Sequence, residues 1–126
     1  TGVDLQNSIT FTYSDGIMAV MQITVLRAND RQGIISCDNG YLIIDNINNP
    51  QEAVAYNKDH AEVARYHCPE QITGFEYQVE ACMQAIRNGE IESPYMPHEE
   101  TLKVMELLDA LRKEWGIEYP ADNSTF

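Results

Sequence analysis

SITFTYSDGIMAVMQITVL, residues 8–26, decides the fold. In SITFTY (8–13), Ile9, Phe11 and Tyr13 alternate with Ser8, Thr10 and Thr12, the period of a half-buried strand. Ser14-Asp15-Gly16 is a tight-turn signal, and IMAVMQITVL (17–26) follows as the returning strand. The same pattern occurs twice more. GIISC (33–37) and YLIID (41–45) flank Asp38-Asn39-Gly40, and EAVAY (52–56) and EVARYH (62–67) flank Asn57-Lys58-Asp59. A polar connection, Arg27 to Gln32, separates the first hairpin from the second. Six strands joined mostly by short hairpins imply antiparallel pairing.

The second half has helical periodicity. Thr73 to Glu76 fits a capping box, with Glu76 reaching back to the amides that open the helix. Phe75, Val79, Met83 and Ile86 follow on one face, the expected core face. Asn88-Gly89 ends that helix. A second begins near His98, with Glu99 and Glu100 in its first turn and Arg112 and Lys113 in its last, each suited to the helix dipole. Its expected buried stripe is Val104, Leu108, Leu111 and Trp115, widened by Leu102, Met105 and Leu107. Gly116 stops it. The expected class is therefore α+β: an open, mainly antiparallel sheet of about six strands, with two C-terminal helices packed on one face. At 126 residues, 1–126 reads as a single domain.

The sheet's other face is the open question. Strand 17–26 sets Ile17, Ala19, Met21, Ile23 and Val25 on one side. Met18, Val20, Gln22, Thr24 and Leu26 lie on the other. Strand 41–45 has Leu42 and Ile44 against Tyr41 and Ile43. Strands apolar on both sides call for cover on both sides, and two helices cannot supply it for six strands. The second face is expected to meet another subunit or a further domain, with Met18, Val20, Leu26, Tyr41 and Ile43 as the interface candidates.

Charge narrows the partners. Twenty acids against eight bases give −12, and residues 61–126 hold 13 of the acids. Such a surface repels phosphate backbones and anionic membranes, so neither nucleic acid nor membrane is an expected partner. No apolar run approaches the ~20 residues of a membrane helix. Three cysteines without a CxxC pair or a signal peptide read as a reducing, cytoplasmic setting. The start, TGVDLQNSI, has no initiator methionine and reads as though cut from within a longer polypeptide. The polar end, 122–126, is the one stretch whose composition suggests disorder.

Catalytic patterns are missing. The glycines at 2, 16, 33, 40, 74, 89 and 116 build neither GxGxxG nor a P-loop. His67 and Cys68 are adjacent on a strand and point to opposite faces, so they do not share a metal ion. His60, His98, Cys37 and Cys82 show no metal-like spacing. No Cys or Ser falls beside a His and an orienting acid. No catalytic, cofactor-binding or metal-ligating residue is therefore assigned. The candidates for contact with a substrate or a neighbouring domain are Tyr95 and His98. Two prolines in SPYMPH stiffen the loop that carries them, and His98 stands at the mouth of a helix.

Two stretches carry a resemblance. DRQGIISCDNGYLIIDNINNP (30–50) and ITGFEYQVEACMQAIRNGEIESPYMPHEETLKVMELLDALRKEWGIEYP (72–120) resemble the terminal part of glucose–fructose oxidoreductase, inositol dehydrogenase and related (Gfo/Idh/MocA) oxidoreductases, on the branch similar to dimeric dihydrodiol dehydrogenase. ESPYMPHEETLKVM is the most specific segment, and the likeness runs from about Leu5 to Pro120. The resemblance implies a parent enzyme with an N-terminal Rossmann domain that binds NAD or NADP. A Glu-Lys-Pro motif there would supply a proton-transfer lysine for hydride exchange with a sugar, polyol or diol. It implies a C-terminal domain built as an open antiparallel sheet that shapes the small-molecule pocket and forms a homo-oligomer. Lys58, Lys103 and Lys113 are the only lysines here and none precedes proline. The family's substrate-facing Asp and His would lie upstream of Thr1. The segment alone is expected to hold no cofactor and to be inactive. A different class fits the same residues: a free-standing α+β module that binds a protein through its open sheet.

Overall fold

A computed structural model describes residues 2–123. The last three residues of the polar end lie outside it. In chain order the elements are β1 (Gln6–Thr12), β2 (Met18–Thr24), β3 (Gly33–Cys37), β4 (Gly40–Ile44), β5 (Glu52–Asn57), β6 (Glu62–His67), α1 (Phe75–Asn88) and α2 (His98–Trp115), then a 3-10 turn at Pro120–Asn123. This is the α+β architecture with open antiparallel sheets that the hairpin signals imply. The six strands are hydrogen-bonded as two ladders, β1–β2 and β3–β4–β5–β6. Between them the chain turns on itself: Asn29 Oδ1 accepts from the Arg31 amide and Asp30 Oδ1 from the Gln32 amide, at 3.1 and 3.3 Å. Short Asx turns of this kind compete with strand pairing. The chain divides into two compact units, one formed by residues up to Ala28 with those from Glu92 onward, the other by Asn29–Ile91.

In the first unit β1 and β2 close through Tyr13 and Ile17 (N···O 2.9 Å), with Asp15 Oδ1 on the Ile17 amide at 3.1 Å. Their register pairs Asn7 with Ile23, Ile9 with Met21 and Phe11 with Ala19, which sets these six on one face. Ile9 is buried and Phe11 half-buried. The opposite face pairs Thr10 with Val20 and Thr12 with Met18. Glu92 Oε2 accepts from the His98 amide at 2.7 Å and so satisfies an amide that opens α2. The helix ends at Gly116, where the Ile117 amide bonds back to the Arg112 carbonyl at 2.9 Å, closing a Schellman turn.

The second unit holds the four-stranded sheet. Register places Ile34, Ile43, Val54 and Arg65 in one row, and Ile35, Leu42, Ala55 and Ala64 in the next, on the opposite face. Val54, in a middle strand, is only 6% exposed. Burying a side chain of that size contributes about 2 kcal/mol. Gly40 opens β4 directly against β5, and a Cβ there would collide with the Tyr56 carbonyl oxygen. Only glycine lets the two backbones approach so closely.

α1 starts as the capping residues dictate. Glu76 accepts from the Thr73 amide (3.2 and 3.3 Å) and from the Ile72 amide, while Thr73 Oγ1 accepts from the Phe75 amide at 3.2 Å. The N-cap position itself is Gly74. These donors, its own amide and that of Ile72 foremost, hold the Glu76 carboxyl at about 2, well under its ordinary 4.5.

The side on which α1 is seated differs from the expectation. Phe75, Val79, Met83 and Ile86 are 68, 54, 42 and 76% exposed, whereas Ala85 is buried and Ala81 half-buried. The Tyr77 hydroxyl donates to the Pro69 carbonyl at 2.9 Å and lies 3.8 Å from Cys68 Sγ. By strand alternation Cys68 shares the side of Ala64 and Tyr66. A phenol hydroxyl requires a partner when it is packed, and the chain leaving β6 presents free carbonyls. Tyr77, Ala81 and Ala85 recur at i, i+4, i+8, so the side of α1 that carries this hydroxyl contact also carries its least exposed residues. The larger apolar stripe is left facing outward.

The surface total agrees with so thin a core. The chain exposes 10730 Å², whereas two separate compact domains of half its mass each would expose roughly 8,200 Å² together. The buried apolar residues among those described are Ile9, Val54 and Ala85.

Candidate functional site

The first unit contains a hollow of about 470 Å³. The β1–β2 hairpin supplies Ile9 and Ile23, and α2 supplies Met105, Leu108, Leu111 and Trp115. Ile117 and Tyr119 close one side. The rim is polar and mostly acidic: Asp4, Asn7, Asp109, Arg112 and Asp122. Leu108, Leu111 and Trp115 line the hollow, but the expected buried stripe is not buried: Leu108 and Val104 are each 47% exposed, Trp115 38%, Leu102 62% and Leu107 42%, and α2 has no buried residue.

Arg112 organises that rim. Its guanidinium bonds Asp109 at 2.7 Å and Asp122 at 3.0 Å, and it stacks over the Tyr119 ring with 4.9 Å to the centroid. The Tyr119 amide donates to Asp122 Oδ2 at 2.9 Å. That amide first, then Arg112, holds the Asp122 carboxyl below its ordinary value. Asn7 donates to Asp4 Oδ2, and its own Oδ1 is shielded with no hydrogen-bond donor in reach. The hollow suits an apolar body with polar edges. Arg112, Asp109 and Asp122 are already paired with one another, and Asp4 accepts from Asn7.

Tyr95 and His98 lie outside this hollow. Ser93 shapes their loop: its Oγ accepts from the Tyr95 amide and its carbonyl from the Met96 amide, at 3.3 and 3.2 Å. Tyr95 is 85% exposed. The His98 ring stands 3.4 Å from Glu92 and is largely exposed. The loop presents an aromatic ring and an imidazole on a stiff support. That suits contact with something beyond these residues.

The interface candidates fall in two places. Met18, Val20 and Leu26 are 63, 63 and 60% exposed on the hairpin, with threonines opposite the first two. Tyr41 and Ile43 are half-buried on the four-stranded sheet. Tyr41 stacks on Tyr56 at 5.1 Å, and its hydroxyl meets His60 Nδ1 at 3.2 Å. Beyond Val54 that face turns ionic. Arg65 bonds Glu52 and Glu62, each at 2.7 Å, and His67 approaches Glu52 at 3.7 Å. Hydrogen bonds to those two carboxylates raise the Arg65 pKa, and the bond from Arg65 lowers that of Glu62. The apolar part of this face is thus confined to Ile34, Ile43 and Val54. Sequence periodicity could not show this, because the register that unites Glu52, Glu62 and Arg65 is a long-range property.

Among the described residues no group of three or more His, Cys, Asp or Glu side chains is placed to hold a metal ion. No described helix is long and apolar enough to cross a membrane.

Over 124 residues the chain is 25% identical to scyllo-inositol 2-dehydrogenase (NADP(+)) IolU of Bacillus subtilis (strain 168). The alignment covers 98% of this chain and 37% of that protein. No family model matches the chain. The similarity is to a dehydrogenase of the class that the ESPYMPHEETLKVM segment resembles.

Proposed function

We propose that the chain is the C-terminal part of an NAD(P)-dependent oxidoreductase of the Gfo/Idh/MocA kind, acting on a sugar, polyol or diol. The observation that carries this reading is the alignment of 98% of the chain with little more than a third of an NADP-dependent inositol dehydrogenase. The large exposed apolar surface supports it, because a segment that normally packs against more protein leaves such a surface. Nicotinamide binding and hydride chemistry belong to a Rossmann domain upstream. This segment forms a wall of the substrate pocket, with Tyr95 and His98 toward substrate or the neighbouring domain. Met18, Val20, Leu26, Tyr41 and Ile43 serve subunit contact.

Two measurements test the reading. The coding sequence upstream of Thr1 should encode a βαβ stretch with GxGxxG followed by Glu-Lys-Pro; a stop codon there would instead favour a free-standing interaction module. Titrating the 126-residue chain with NADPH and NADH should give no saturable binding, and micromolar binding to this chain alone would refute the assignment. In the longer enzyme, Tyr95→Ala and His98→Ala should raise KM for the polyol more than they lower kcat.

A further inference from the structure

The hollow of the first unit calls for an apolar occupant, and its position says which. Ile9, Ile23, Leu108, Leu111 and Trp115 line a space of about 470 Å³, on the scale of a ligand site. A polyol does not suit it. Every hydroxyl of a polyol needs a partner when it leaves water, whereas Arg112, Asp109 and Asp122 are engaged with one another and Asp4 with Asn7. A second copy does not suit it either. The rim sets three acids, Asp4, Asp109 and Asp122, against Arg112 alone, and a copy brings a further −12.

The first residues of the chain run along this rim. Asp4, Asn7 and Ile9 line the hollow, and Gly2, Val3, Asp4 and Asn7 line a second one of about 560 Å³, against Trp115 and Ile117. In the longer enzyme the polypeptide that precedes Thr1 enters the unit here. We infer that its last stretch before Thr1 folds back across the hollow and buries apolar side chains in it, with a Lys or Arg set against the acidic rim. This rests on the reading above, that the chain is the C-terminal part of an oxidoreductase. The tether selects this occupant over a free partner. A segment joined at Thr1 is presented to the hollow at about millimolar effective concentration, however dilute the protein. The charge balance of the rim favours a basic flank on it and disfavours the acidic surface of another copy.

Thiol labelling, mapped by mass spectrometry, tests this. Leu108 is 47% exposed in the 126-residue chain, so Leu108→Cys should be alkylated readily there. In the longer enzyme the thiol at position 108 should react about tenfold or more slowly. The same protection should persist when the enzyme is cut back to roughly 20 residues before Thr1, room for one helix or two strands. It should not change on dilution, because the occupant belongs to the same polypeptide. Trp115, the one tryptophan of this chain, gives a second reading without a change in the hollow. With any upstream tryptophan replaced, its emission should move to shorter wavelength once those residues are attached. Equal labelling with and without them, an unmoved Trp115 emission, or protection that fades on dilution would overturn the inference and leave the oxidoreductase reading in place. A stop codon just before Thr1 would remove both.

Discussion

The four-stranded sheet and the two-stranded hairpin are built from the same grammar and end in different physical states. In β4 and β5 every residue is at least half-buried. In β1 and β2 only Ile9 is buried, and Met18, Val20, Met21 and Ile23 remain 40 to 63% exposed. The difference is one of neighbours. A middle strand is flanked on both edges, whereas each strand of a two-stranded ladder has a free edge. Isolated hairpins are marginal in water, so β1–β2 depends on what lies against its faces. Apolar content alone does not make a core.

The largest effect expected from this contrast is on stability. Val54→Asp buries a charge whose neighbour across the strand, Arg65, is already held by Glu52 and Glu62, and should cost about 4 kcal/mol or more. Val20→Asp, on the hairpin's exposed face, should stay within about 0.5 kcal/mol. Urea unfolding of the two variants checks the pair, and equal costs would erase the distinction between the regions. Gly40→Ala comes next. The new methyl meets the Tyr56 carbonyl, so β4 and β5 must separate locally, at a cost of roughly 3 kcal/mol in the same assay. Hydrogen exchange then ranks the regions without mutation. Amides of β4 and β5 should exchange about tenfold or more slowly than those of β1 and β2.

The smallest effect is the pH dependence that Glu76 gives the second unit. The folded pKa of Glu76, about 2, lies below its ordinary 4.5. Its contribution is therefore complete above 4.5 and is lost as pH falls from there through about 2. The urea midpoint should drop over that window, and Glu76→Gln should shrink the slope.

Much of the fold was legible because its signals are local. Ser14-Asp15-Gly16, Asp38-Asn39-Gly40 and Asn57-Lys58-Asp59 announce three hairpins, and the ladders place their strands within a residue or two of the alternation. Gly89 and Gly116 mark both helix ends. The side on which α1 sits was not legible. The helix is apolar on two sides, and size favoured Phe75 and Ile86 over Ala81 and Ala85. Yet Ala85 is buried and Ala81 half-buried while the larger side chains stay exposed, and the Tyr77 hydroxyl bonds the Pro69 carbonyl, a contact outside the helix that periodicity does not show. The hollow was hidden for the same reason. Its wall joins residues 4–9, 23 and 105–122, which no periodicity relates.

Tyr77 also provides an optical reporter. Desolvation, then its contact with Cys68, pushes its phenol up to about 12 from an ordinary 10. Phenolate absorbs in the near ultraviolet where phenol does not, so an alkaline titration followed by absorbance should resolve a late component near 12. Any change that separates Tyr77 from Cys68 and Pro69 should move that component back toward 10. A spectrophotometer could thus follow that one contact without a label.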